Sequence, residues 1–159
     1  QEMEVWYPLF RFQEEGIKVI TIGPEAGKTY PSKCGYPVTS DKAARDVRAN
    51  DLDGIVVPGG YAPDHLRRHV AVNQLVKDIF NQGKLVGAIC HAGWVLISAD
   101  ILRGKTATSF SAIKDDMVNA GVHFVDQEVV RDGNLVTSRK PEDLPAFCRE
   151  MLSFLKEHN

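Results

Sequence analysis

Lys84-Leu-Val-Gly-Ala-Ile-Cys-His-Ala-Gly93 reads as a strand, apolar on both faces, that runs into Cys90 and His91 and then into a helix through Leu96 and Ile97. A strand with no polar face belongs inside a sheet that is covered on both sides. Its neighbours alternate to match. Upstream, Asp53-Gly-Ile-Val-Val57 is a second apolar strand, cut off by Pro58-Gly59-Gly60. Residues 70–82 keep Val72, Leu75, Val76, Ile79 and Phe80 at helical spacing before Gly83. Further upstream, residues 4–15 place Val5, Leu9 and Phe12 on a helical stripe widened by Trp6 and Phe10, and Gly16 closes it. Residues 17–22 are short and β-branched, and 24–35 read as a loop. Downstream come a strand over 106–110, a short helix over 113–120, and strands over 123–130 and 134–138 flanking the hairpin signal Asp132-Gly133. A last helix opens at Pro141 and carries Leu144, Phe147, Cys148, Met151, Leu152 and Leu155 on one face. Strands alternating with amphipathic helices predict an α/β sandwich around a mostly parallel sheet, one domain over residues 1–159.

Composition narrows the function. The 159 residues are 43% hydrophobic and 25% charged, with a formal net charge of −2 and a pI near 6.2. That excludes disorder, and it lacks the basic excess of a phosphate-contacting nucleic-acid binder. No apolar run approaches the roughly 20 residues of a membrane helix. No signal peptide is visible at residues 1–7. Cys34, Cys90 and Cys148 are odd in number and far apart, so a disulfide framework is not expected and the reading is a cytoplasmic protein. Neither a metal nor any other cofactor is called for: His65 and His69 lack a third ligand at a telling spacing, and no phosphate loop is present.

Cys90 carries the chemistry. A buried strand that ends in a nucleophile, with Gly87 and Gly93 leaving room for a sharp turn, has the layout of a nucleophile elbow. A thiol at a helix start beside a histidine is expected to have its pKa lowered. The bland alternative is a small buried apolar residue at a strand end. Gly59 and Gly60, at the end of the preceding strand, can turn backbone N–H groups toward a ligand oxygen. Asp64 can orient a histidine or cap the segment that follows. Glu2 and Glu4 can place a carboxylate next to the thiol or simply complement a helix dipole. Cys148 reads as core and Cys34 as a spectator.

Three separated segments resemble the PfpI intracellular-protease family of the ThiJ/PfpI superfamily, which also holds the Parkinsonism-associated deglycase. They are residues 53–64, residues 88–99 and residues 111–121, in the right order, with Gly104-Lys105 and Ser138-Arg139-Lys-Pro141 beyond them. The resemblance implies a flavodoxin-like three-layer α/β/α sandwich, similar to the class I glutamine amidotransferase domain, with a first strand expected before Gln1. It implies Cys90 as nucleophile, His91 as its partner, an oxyanion hole from the amides of Gly59, Gly60 and His91, and Asp64 completing the site of a neighbouring subunit. A homo-oligomer built from dimers follows, acting on a small-molecule or peptide substrate. Aligning Glu4-Val-Trp-Tyr-Pro8 with the family's pattern puts Gln1 where members carry a glutamate beside the thiol, with Glu2 next door, and Phe110 where a tyrosine is common. The function implied is a cysteine-dependent hydrolase, a peptidase or amidase or a deglycase of methylglyoxal adducts. The alternative is a non-enzymatic stress protein, a redox sensor or chaperone, using the same cysteine. A flavodoxin-type cofactor module is the third reading.

Overall fold

In a computed structural model that describes residues 1–158, four strands form the central sheet: β5 (Gly54–Val57), β6 (Leu85–Ile89), β10 (Leu135–Ser138) and β9 (Val129–Asp132), in that spatial order. β5, β6 and β10 are parallel, and β9 returns antiparallel through the Asp132-Gly133 turn, where Gly133 takes φ 64°. Two-residue pairs extend the architecture: β1 (Ile22–Gly23) with β4 (Lys42–Ala43), β2 (Thr29–Tyr30) with β3 (Val38–Thr39), and β7 (Thr106–Ala107) with β8 (His123–Phe124).

The pleat of β6 sorts its side chains into two cores. Val86 and Ala88 join Leu135 in a cluster beneath α3 (Val70–Asn81), α4 (Gly93–Ser98) and α5 (Lys114–Asn119). Leu85 and Ile89 face the other way, with Val136, into a cluster closed by α6 (Leu144–His158) and by Phe12 of α1 (Glu2–Glu14). Successive strand residues point to opposite faces, so helices on both sides are the only way to bury such a strand. The result is the flavodoxin-like three-layer sandwich that the sequence implied. Close packing leaves no room at Gly87, where a Cβ would run into Met151 Sδ.

Several expected strands shrink. Residues 17–21 are not strand, and the ladder starts at Ile22. The expected strands over 106–110 and 123–130 keep only their ends. β-branched composition sets a preference, but a ladder needs a neighbour within hydrogen-bonding distance. A short helix, α2 (Ala62–Leu66), follows the Gly59-Gly60 turn. No described helix is long and apolar enough to cross a membrane.

Candidate active site

Cys90 stands at the C-terminal end of β6 with φ 64°, one of two non-glycine residues in the left-handed region among those described. A single 3₁₀ turn, Cys90–Ala92, then leads into α4. Non-glycine residues hold such a φ at a cost of order 1–3 kcal/mol, met only where surrounding structure over-determines it. Cys90 as a whole is 8% exposed. His91 Nδ1 lies 3.2 Å from Sγ, and the amides of Gly60 and His91 both reach the sulfur and favour its anion.

The carboxylate at the thiol is that of Glu4. It is 1% exposed, and its Oε2 accepts the Gly59 N–H at 2.7 Å. Oε1 is buried without a hydrogen-bond partner, and the Cys90 thiol lies beside the carboxyl. Burial pushes the Glu4 pKa up, against the pull of the Gly59 N–H. Burial first, and the Glu4 charge second, push the Cys90 thiol up as well, opposed by the two amides. The expectation of a lowered thiol pKa is therefore corrected: a helix start of one 3₁₀ turn cannot outweigh desolvation and a neighbouring carboxylate. His91 is held below its ordinary value by burial.

The residues assigned to the thiol's neighbourhood by alignment lie elsewhere. Gln1 caps α1, its side-chain Oε1 accepting from Met3 N at 2.8 Å, while its backbone nitrogen donates to Gly59 O at 3.3 Å and its Cα and Cβ pack beside Gly60. Glu2 turns to the loop and accepts from Cys34 N at 3.0 Å. The buried residues of α1 are Glu4, Pro8 and Phe12, spaced four apart, so the inward face is rotated from the Val5–Leu9 stripe read in the sequence. A glutamate in register with Pro8 and Phe12 was the signal for its role.

Gly59 and Gly60 divide their work. The Gly59 amide is committed to Glu4, which removes it from the expected set of oxyanion donors and leaves Gly60 and His91. Gly60 adopts φ 69°, the conformation that turns its N–H inward. Gly59 is glycine for space: a Cβ there would lie 2.6 Å from Cys90 Cβ and from Glu4 Oε2.

Asp64 is not brought to His91 within the chain. It sits in the first turn of α2, where Tyr61 is the N-cap, and pairs with Arg68. His65 packs edge-on against Tyr61, and among the described residues no three His, Cys, Asp or Glu side chains gather as a metal site. Phe110 stacks on the His91 ring with centroids 5.1 Å apart. Trp94 lies edge-on to the same ring at 5.3 Å, a contact that sequence reasoning missed. All three cysteines are free; Cys148 is core and Cys34 exposed.

Comparison with known proteins matches residues 1–154 to the DJ-1/PfpI family. A deglycase of Pyrococcus abyssi is 44% identical over 98% of this chain and 93% of its own. Protein/nucleic acid deglycase 2 of Escherichia coli is 45% identical over 98% of this chain and 91% of its own. Among solved structures, a two-domain protein of Anabaena variabilis with DJ-1/ThiJ/PfpI-like and ferritin-like domains superposes with a TM-score of 0.96 at 40% identity. The match covers 98% of this chain and 45% of that one.

Proposed function

The chain belongs to the DJ-1/PfpI family, and from that premise we propose a cysteine-dependent hydrolase that removes methylglyoxal-derived adducts from protein or nucleic-acid amino groups, with Cys90 as nucleophile. The observation that carries it is the left-handed Cys90, its sulfur 3.2 Å from His91 Nδ1 and beside the buried Glu4 carboxyl. Burial raises both the carboxyl and the thiol, and the Glu4 charge adds to the rise at sulfur, so both groups favour their protonated forms more than they would in water. Moving the thiol proton as a substrate carbonyl arrives leaves sulfur anionic at the moment of attack.

The reaction balances without an oxidant. The adduct's aldehyde carbon bonds to Sγ as a hemithioacetal, and the client nitrogen leaves as a free amine. The oxyanion faces the amides of Gly60 and His91. The hydrogen on that carbon moves as a proton to the adjacent carbonyl carbon through an enediol, carried by Glu4 or His91. A lactoyl thioester results, and water cleaves it to lactate and free thiol. A cysteine only 8% exposed suits a small adduct on a projecting side chain better than a folded polypeptide backbone. The test measures lactate release from methylglyoxal-treated N-acetylarginine by the wild type and Cys90→Ser. Release that depends on Cys90, with no cleavage of unfolded casein, supports the reading; full activity in Cys90→Ser overturns it, and Cys90-dependent casein cleavage alone replaces it with a peptidase.

Asp64 enters as a group given to a second copy. Tyr61, beside it, is 68% accessible, and among the described residues the ion-pair partner of Asp64 is Arg68. In a dimer, Asp64 of one protomer would hold His91 of its partner in the tautomer that serves sulfur. Light scattering on the purified protein together with Asp64→Asn turnover decides it: a fully active monomer, or an unchanged rate in Asp64→Asn, removes the shared site.

A further inference from the structure

Among the described residues His91 has no carboxylate partner; the hydrogen bond its ring makes there is Nδ1 to Cys90 Sγ. Something else must keep the imidazole in that rotamer. Phe110 covers one side as a stacked ring, anchored by its own N–H on Cys90 O at 3.2 Å. Trp94 closes the other contact edge-on. Trp94 falls three residues after His91, so the turn into α4 brings both side chains to one face.

Trp94 is itself held from two helices. Its Nε1–H donates to Asp116 Oδ2 at 2.8 Å, from the first turn of α5. The Arg67 guanidinium lies 5.8 Å from the indole centroid, just past α2, and Arg67 Nε donates to Ser98 Oγ at 3.0 Å. A cation over an indole is an attraction of about 0.5–1 kcal/mol at exposed sites. Asp116 and Ser98 are exposed, and Trp94 is half-buried. Trp94 also packs against the core beneath α3 and α5, but that packing alone does not call for an indole fixed at both its nitrogen and its face.

We propose that Trp94 is a positioning residue for His91, locked by Asp116 and Arg67, so that α2 and α5 set the orientation of the imidazole. The proposal rests on the reading of Cys90 and His91 as the reacting pair. It accounts for how the ring is aimed before any carboxylate from a second protomer arrives. Displacing a reacting group by about 1 Å can cost on the order of 10²-fold in rate.

The experiment compares Asp116→Ala, Asp116→Asn, Trp94→Phe and Trp94→Ala in the full chain. Turnover of the methylglyoxal adduct is measured together with the ring-carbon NMR signals of histidine-labelled protein, His91 being identified with His91→Gln. Asp116→Ala is expected to lower kcat roughly tenfold with KM within about twofold, and to move the His91 ring signals as the indole loosens. Asp116→Asn, which still offers an oxygen to the indole N–H, should return both readouts to near wild type. Trp94→Phe keeps a ring against His91 and should fall between wild type and Trp94→Ala. Unchanged kcat and unmoved His91 signals in Asp116→Ala and Trp94→Phe overturn the proposal. Because both are rim substitutions, the comparison stands even if Trp94→Ala fails to fold. If Cys90→Ser proves fully active, the hydrolase reading fails, and the His91 signals alone still decide whether Trp94 positions the ring.

Discussion

Replacing Gly59 with alanine tests the central geometry with one methyl group. Gly59 is not in the left-handed region, so alanine brings no backbone strain there, unlike at Gly60. The added Cβ would stand 2.6 Å from Cys90 Cβ, 2.6 Å from Glu4 Oε2 and 2.9 Å from Ile89 O. Comfortable separations between carbon atoms are about 3.5–4.0 Å, so these groups must retreat by about 1 Å. Ile89 O belongs to β6 and cannot retreat without deforming the sheet, so Cys90 and Glu4 must move. Glu4 then loses its 2.7 Å bond from Gly59 N. A hydrogen bond to a charged group contributes about 1.5–3 kcal/mol and overpacking costs about 1–3, so the variant should be destabilised by about 3–5 kcal/mol. At about 2–4 °C per kcal/mol for a chain of this size, calorimetry should record a melting temperature about 6–20 °C lower. The displaced thiol should react more slowly, with kcat down on the order of 10²-fold. A Gly59→Ala protein that melts within about 2 °C of wild type and turns over normally would refute the packing argument.

Glu4→Gln removes the charge that opposes thiolate formation, so the midpoint of Cys90 alkylation against pH should move down. The same variant tests linkage: because the folded pKa of Glu4 is raised, its contribution to stability is full below the unfolded value of about 4.3 and is lost as pH rises through the folded pKa. The melting difference should therefore shift in favour of Glu4→Gln as pH rises from about 4 to 8; a constant difference would show that Glu4 does not titrate abnormally. Cys148, whose thiol is pushed up to about 12 by burial, should resist iodoacetamide at pH 8 in the folded protein and react only on unfolding, as peptide mapping would show. Gln1→Ala should cost about 1 kcal/mol through the lost cap while leaving the Cys90 alkylation rate unchanged; a large fall in that rate would put Gln1 back at the thiol.

How far the sequence reaches is set by whether a residue's role is local. β6 was legible because a run apolar on both faces has one home, between two helical layers, and its alternation into the two cores follows from the pleat. Residues 17–21, richer in β-branched side chains than β6, have no ladder, because pairing depends on what lies beside them in space. Helix α1 was legible as a helix but not in its orientation. The apolar side chains Val5, Trp6, Leu9, Phe10 and Phe12 allowed more than one inward stripe, and the observed one carries a glutamate. Burying a carboxylate contradicts hydrophobic patterning unless a partner awaits it, and that partner, Gly59 N, is 55 residues away. Asp64 shows the opposite limit: its surroundings were expected from a second chain, and within its own chain it has only Arg68.

The same reasoning explains why the strained cysteine persists. Ile89 and Cys90 belong to the core beneath α1 and α6, whereas Ala92, Val95 and Leu96 belong to the core beneath α3 and α5. The chain must cross from one face of the sheet to the other within three residues, and a left-handed residue at position 90 accomplishes the crossing. Relaxing its φ would pull either Ile89 or Ala92, both almost wholly buried, out of its core. Uncovering a large apolar side chain such as Ile89 costs about 1.5–3 kcal/mol, comparable with the strain of about 1–3 kcal/mol that relaxation would relieve. Packing on both faces thus fixes the sulfur's position independently of its ionisation. Glu4 and His91 are the ionisable side chains left beside it.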